Sequence, residues 1–193
     1  MNKIKRHFLL NEWAELSSNY SIKDVCLSLS FKEAMNAVNH LFFDDICDNE
    51  KQQYALKLCL EIKIHFNEWE NDWKNEVFLG NLYEMLWFYD ERYFCYKRAY
   101  DKLKEAPQEL LLLLSNCNSA PGVPPITDSE AEFYLRRAVE KKLTYEAALK
   151  MRGLSRIKED KVQEGHWDKV CKKLEKENIH SEQLIPDIFK SRI

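Results

Sequence analysis

The chain has 193 residues, a formal net charge of −3, and 45% hydrophobic against 32% charged residues, a composition typical of a globular protein with a substantial core. With 4 Gly, 5 Pro and no apolar run longer than residues 110–114, it resembles neither a disordered, a collagen-like nor a membrane-spanning chain. The first seven residues lack the apolar stretch of a signal peptide, and the six cysteines form no CxxC pair. We therefore expect a cytoplasmic protein with reduced thiols and no membrane contact.

Helical periodicity begins at the start of the chain. Apolar residues at three-to-four spacing predict a helix over residues 4–16, a short one over 22–29 and a longer one over 48–66. Between them, Ser30 and Glu33 have the spacing of a capping box, in which each residue satisfies a backbone N–H of the other. This part of the sequence thus predicts helices throughout.

Four similar segments recur along the rest of the chain at nearly constant spacing. Each has a hydrophobic position, then two mostly basic residues, then a small or aliphatic closing residue. The closing residues are Ile62, Ala99, Ala138 and Leu174, separated by 37, 39 and 36 positions. This period is typical of stacked helix-turn-helix units, whose usual role is to hold another molecule.

Residues 73–106 form the clearest unit. A first helix is predicted around residue 80, a turn at 89–91 and a second helix around residue 98. The unit resembles the tetratricopeptide repeat through Leu79, Gly80, Tyr83, Tyr96 and Ala99. The resemblance implies two antiparallel helices, with Gly80 and Ala99 at a tight crossing.

The following stretch resembles the related Sel1-like repeat. Gly122-Val123-Pro124 precedes Asp128, Ala131 and the Arg-Arg-Ala of 136–138, and a second such unit runs to about residue 177. Thr127 and Glu130 also have capping-box spacing. The resemblance implies an all-α fold, an irregular right-handed stack of antiparallel helical hairpins of the α-solenoid kind. We expect one domain over 1–193, with N-terminal helices in 1–72, repeats in 73–179 and a capping helix in 180–193.

Charge is unevenly distributed. Residues 44–91 hold 12 acidic residues and 4 Lys or Arg, a balance of −8, whereas residues 131–193 hold 15 basic and 11 acidic ones, a balance of +4. The acidic part is also rich in aromatic residues, a composition typical of a protein-binding hot spot with a charged rim. We predict non-catalytic binding of a basic protein by Glu68, Trp69, Glu70, Asp72, Trp73, Glu76, Trp87, Asp90, Glu91 and Tyr93.

Two interpretations compete with this one at the same residues. The aromatic rings can all belong to the core, and the charges can simply solvate outer helix faces. A narrower functional interpretation is an immunity protein or other inhibitor that blocks a basic toxin or nuclease by charge complementarity.

Catalysis and nucleic-acid binding have weaker signals. Potential metal ligands lie one helical turn apart at two places, at His40 with Asp44 and Asp45 and at His65 with nearby carboxylates, a spacing suited to a metal-dependent enzyme. However, the sequence contains no HExxH, phosphate-binding or nucleophile motif. Basic residues near the C-terminal end are interleaved with acidic ones, and the isoelectric point is about 6.0, which argues against a nucleic-acid ligand. We expect no enzyme activity and no cofactor.

Overall fold

The computed structural model describes residues 3–9, 12–43, 48–119 and 121–190, apart from the side chains at positions 8, 9, 13 and 14. Across these ranges the chain is all-helical and contains no strand, so the predicted all-α class is confirmed. The described chain divides into two compact units. The first comprises residues up to 88 together with those from 185 onward, and the second comprises residues 89–184.

In the part of the first unit that the structure describes there are seven helices and one 3-10 turn. Helix α4 packs against α5, which also packs against α3, α6 and the 3-10 turn, and Met35, Phe42, Leu58 and Ile62 are fully buried. The elements are α1 (Lys3–Leu9), α2 (Trp13–Asn19), α3 (Ile22–Leu27), α4 (Phe31–Phe43), α5 (Asn49–His65), the 3-10 turn (Asn67–Asn71), α6 (Lys74–Met85) and, from the C-terminal end of the chain, α12 (Asp187–Lys190).

Among its described residues the second unit has five helices, packed in chain order: α7 on α8, α8 on α9, α9 on α10 and α10 on α11. Its most apolar element is α8, where Leu110, Leu111 and Leu114 are fully buried. The elements are α7 (Tyr89–Asp101), α8 (Gln108–Ser115), a 3-10 turn (Asn116–Ser119), α9 (Asp128–Lys141), α10 (Tyr145–Ile157) and α11 (Lys161–Lys176).

Helix starts follow the local capping chemistry that the sequence indicates. The Ser30 backbone N–H donates to the Glu33 carboxylate at 2.8 Å, and the Glu33 N–H donates to Ser30 Oγ at 3.4 Å. Thr127 and Glu130 form the complete capping box at the start of α9. Both predicted boxes are therefore confirmed, because each depends only on residues three positions apart.

Two predicted elements differ from the structure at the chain ends. The single helix expected over 4–16 is two helices, α1 and α2, and Glu12 between them lies outside the helical region of backbone space. The capping helix expected over 180–193 is a single turn, α12, within the described residues. It belongs to the first unit, where Phe189 packs on Phe78 of α6 with ring centroids 5.2 Å apart. The C-terminal segment therefore packs on the N-terminal unit.

The repeat predicted over 73–106 has its two helices in different compact units. Helix α6 belongs to the first unit and α7 to the second. The arrangement of a tetratricopeptide hairpin is therefore not confirmed by the described residues.

Candidate binding surface

Trp69, predicted as a surface anchor, is fully buried. Its indole N–H donates to Glu76 Oε1 at 2.9 Å, and its backbone carbonyl accepts from Asn75 Nδ2 at 3.0 Å. Lys63 Nζ lies 2.5 Å from the same Glu76 oxygen and 5.8 Å from the Trp69 ring centroid. The expectation that Trp69 is exposed was wrong, and Glu76, also buried, serves to satisfy a core indole and an ammonium group.

Asp72 and Trp73 lie at the start of α6 and are half-buried. The Asp72 carboxylate accepts from the Lys74 N–H at 3.0 Å and from the Asp187 N–H at 2.8 Å, while Lys74 Nζ lies 2.6 Å from Asp187 Oδ1. The hydrogen bond from Lys74 lowers the pKa of Asp187. Lys74 Nζ also lies 5.9 Å from the Trp73 ring centroid. Asp72 therefore links the C-terminal segment to the start of α6 through hydrogen bonds and is not a freely solvated charge.

Glu68 and Glu70 are exposed on the 3-10 turn that precedes α6. Trp87 lies just beyond the other end of the same helix. The 12 residues of α6 correspond to about 18 Å along its axis. The structure therefore separates these two acids from Trp87, although the sequence places all three in one acidic, aromatic segment.

Trp87 occupies an unusual backbone position at the end of α6. Its φ is 68°, its N–H donates to the Glu84 carbonyl at 3.1 Å, and the Phe88 N–H donates to the Tyr83 carbonyl at 2.9 Å. This pair of bonds is the Schellman motif, in which the left-handed residue is usually Gly or sometimes Asn. A left-handed conformation is costly for a residue with a Cβ, especially a bulky one.

The Trp87 side chain gains little burial at this position. Its exposed fraction is 73%, and those of Met85 and Phe88 are 42% and 40%. The Phe88 ring makes an edge contact with Tyr83, with centroids 6.1 Å apart. We call Met85, Trp87 and Phe88 the Trp87 patch, three exposed apolar residues at the C-terminal end of α6.

Two helices of the second unit end in the same way. Glu159 and Asn178 have φ of 57° and 54°, and the bonds of their motifs run from Asp160 N to Ser155 O and from Ile179 N to Leu174 O. Asn tolerates this conformation through its short polar side chain. Glu159 provides an exposed comparison residue for Trp87, with the same backbone geometry but no aromatic ring.

The remaining predicted site residues lie in the second unit, on α7. Asp90 and Glu91 are exposed in its first turn, and Tyr93 is half-buried. Burial, followed by the negative charge of Glu130, raises the pKa of Tyr93. The Tyr93 ring packs beside that of Phe94 at 5.6 Å. These residues belong to the second unit and are not part of the Trp87 patch.

The alternative metal site has a limited structural basis. His65 Nε2 lies 3.1 Å from a Glu61 carboxylate oxygen, and His40 is exposed on α4; Asp44 and Asp45 lie outside the described residues. Within the described ranges there is no group of three or more His, Cys, Asp or Glu side chains that could hold a metal ion.

Comparison with known proteins assigns no function. No family model matches the sequence, and neither the curated proteins nor the solved structures compared with it give a match. None of the described helices has the length and apolar character needed to cross a lipid bilayer.

Sequence reasoning identified Trp87 but missed what distinguishes it. The left-handed backbone had no sequence signal, because the residue that usually marks it, Gly, is absent from positions 86–88. Met85 was missed because a single apolar residue at a helix end is compatible with the core. Its exposure depends on how α6 packs in the folded unit.

Proposed function

We propose that this protein is a non-catalytic protein-binding module and that the Trp87 patch anchors its partner. The observation that carries the proposal is the combination of a 73% exposed ring with a left-handed backbone at φ 68°. Folding alone favours Gly at such a position. A residue that costs stability and contributes little to the core is typical of a site selected for interaction.

The chemistry of the patch matches the anchors of known interface hot spots. Trp is the most enriched hot-spot residue, and it binds best when neighbouring apolar side chains exclude water around it. Met85 and Phe88 flank Trp87 in sequence and are themselves partly exposed. Docking of a partner would bury all three side chains together.

The electrostatic surroundings favour a basic partner. The patch lies at the C-terminal end of α6, where the helix dipole carries partial negative charge, and Glu84 in the same last turn is exposed. An Arg or Lys of the partner would gain from this field and from the face of an exposed indole. We therefore propose that a cationic side chain packs on Trp87.

We infer that α7 to α11 form an irregular right-handed stack related to tetratricopeptide and Sel1-like repeats. Each of these helices packs on its sequence neighbour, which is the contact pattern of a solenoid. Such a stack presents its helices in series and suits a binding role.

Site-specific photo-crosslinking in the source cells tests the proposal. A photoreactive benzoyl-phenylalanine replaces Trp87 in one variant and Glu159 in a matched control, since both positions share the left-handed helix end. We expect a discrete protein adduct from position 87 that excess unlabelled native chain suppresses. Equal labelling at positions 87 and 159, or no adduct at 87, would contradict the proposal.

The inhibitor of a basic toxin or nuclease is the narrower form of this proposal, favoured by the −8 charge balance of residues 44–91. If the partner captured at position 87 is such an enzyme, the native chain should inhibit it in a salt-sensitive manner. Full activity of the enzyme in the complex would leave only the general binding role.

A further inference from the structure

The second unit contains a half-open cleft between α9, α10 and α11. Its volume is about 360 Å³, within the usual range of ligand sites. Met151, Leu154 and Trp167 supply apolar lining, and Arg136 and Lys158 supply two cations. The cleft therefore places three apolar side chains beside two cations in a lining that is otherwise polar.

The two cations share one carboxylate. Glu132 Oε1 accepts from Arg136 Nε and Nη2 at 2.9 and 2.6 Å, and Lys158 Nζ lies 2.5 Å from Glu132 Oε2. The hydrogen bonds from Lys158 and Arg136 lower the pKa of Glu132. Glu132, Arg136 and Lys158 together carry a formal charge of +1. An Arg has five N–H donors and a Lys has three, so Glu132 does not use all of them. The trio therefore has capacity to bind a second carboxylate.

Among the described residues that line the cleft, Asp160 is the acidic one. Its carboxylate accepts from the Gln163 N–H at 3.0 Å and caps α11. That hydrogen bond and the positive end of the helix dipole partly offset its charge. Arg136 and Lys158 are therefore the charged donors in the described lining that can bind an anion.

Two exposed apolar residues adjoin lining residues of the cleft in the sequence. Ile157 is 76% exposed and Val162 is 80% exposed, next to Lys158 and Gln163 respectively. A small carboxylate fills only the cleft. A peptide segment extends past it and can also bury apolar side chains outside it.

We propose that this cleft binds a peptide segment of a partner protein that carries an acidic side chain beside an apolar one. The carboxylate binds Arg136 and Lys158 in competition with Glu132, and the apolar side chain packs among Met151, Leu154 and Trp167. This site lies in the second unit and does not depend on the Trp87 patch. Its preference for an acidic ligand is opposite to that proposed for the patch.

The test is fluorescence anisotropy with the full chain and a labelled, end-blocked peptide, Gly-Glu-Leu-Leu-Glu-Gly. We expect saturable binding that weakens about tenfold when Gln replaces Glu in the peptide, the order expected from loss of charge-assisted hydrogen bonds. Replacing Leu with Ser should weaken binding to a similar extent because the apolar contacts are lost.

Variants of the chain then test the competing carboxylate. Arg136→Gln combined with Lys158→Gln should weaken binding about tenfold, whereas Glu132→Gln should strengthen it about threefold by releasing the two cations. Lys172→Gln is the matched control, because Lys172 shares Asp168 with Arg152 in a similar trio but does not line the cleft. Circular dichroism verifies that each variant is folded.

Several results would overturn the proposal. The first is equal affinity of the chain for the Glu and Gln peptides, and the second is weaker peptide binding by the Glu132→Gln chain. The third is a loss of peptide affinity in Lys172→Gln as large as that in the double variant. Saturable binding of isovalerate without binding of the peptide would identify a small-molecule site instead. Self-association that the double variant abolishes would identify a second copy of the chain as the occupant.

Discussion

Replacing Trp87 by Gly and, separately, by Ala measures the strain at the end of α6. Both substitutions remove the same side-chain contacts, so their difference isolates the backbone. A left-handed conformation costs an L-residue roughly 1–2 kcal/mol, and Gly loses about 0.5–1 kcal/mol more backbone entropy on folding than Ala. Trp87→Gly should therefore be more stable than Trp87→Ala by about 0.5–1 kcal/mol, the reverse of the usual order in a helix.

Urea denaturation of the two variants gives this difference, with equal m-values as the condition for comparing them. Two further Gly and Ala pairs serve as controls for the stability difference at position 87. Glu159→Gly and Glu159→Ala, at the same backbone geometry, should differ with the same sign. Lys57 is exposed in the middle of α5, and Lys57→Gly should be less stable than Lys57→Ala by about 1 kcal/mol. A Trp87→Gly chain no more stable than Trp87→Ala would refute the left-handed conformation and the strain argument.

Two further predictions concern the buried and semi-buried carboxylates. Glu76→Ala should lower the free energy of unfolding, measured by urea denaturation, by about 2–4 kcal/mol, because Lys63 and the Trp69 indole lose a buried partner. Glu76→Gln keeps an acceptor for Trp69 and should cost less. Equal losses in the two variants would contradict the role of Glu76 as the partner of both groups. Burial acts to raise the pKa of Glu146, but hydrogen bonds from His180 and the Ser181 N–H lower it to about 2. Because this folded-state pKa is depressed, the contact stabilises above the ordinary value near 4.5 and is lost as pH falls toward about 2. The protection factor of the Ser181 amide, which is its intrinsic exchange rate at each pH divided by its observed rate, should fall across that interval in the native chain and stay constant in Glu146→Gln.

The features that the sequence predicted correctly depend on short-range chemistry. The boxes at Ser30–Glu33 and Thr127–Glu130 join residues three positions apart, and the all-helical class follows from apolar periodicity. Such patterns do not depend on how the helices are arranged. They are therefore visible in the sequence before any tertiary contact is known.

The features that were missed depend on tertiary packing. Trp69 is buried by packing, and its indole N–H is satisfied there by Glu76, whose carboxylate also pairs with Lys63, 13 positions earlier in the chain. A 3-10 turn has no amphipathic period long enough to reveal which ring faces inward. The cleft of the second unit joins residues from three helices, so no local pattern marks it.

The most direct measurement of the central claim is the dissociation constant of the purified partner, captured at position 87, for three chains: native, Trp87→Gly and Glu159→Gly. Both substitutions relieve a left-handed helix end, but only the first removes an anchor ring. We expect Trp87→Gly to weaken binding by about 2 kcal/mol or more, roughly thirtyfold, and Glu159→Gly to bind like the native chain. Native affinity in the Trp87→Gly chain, or equal losses in both variants, would contradict the account.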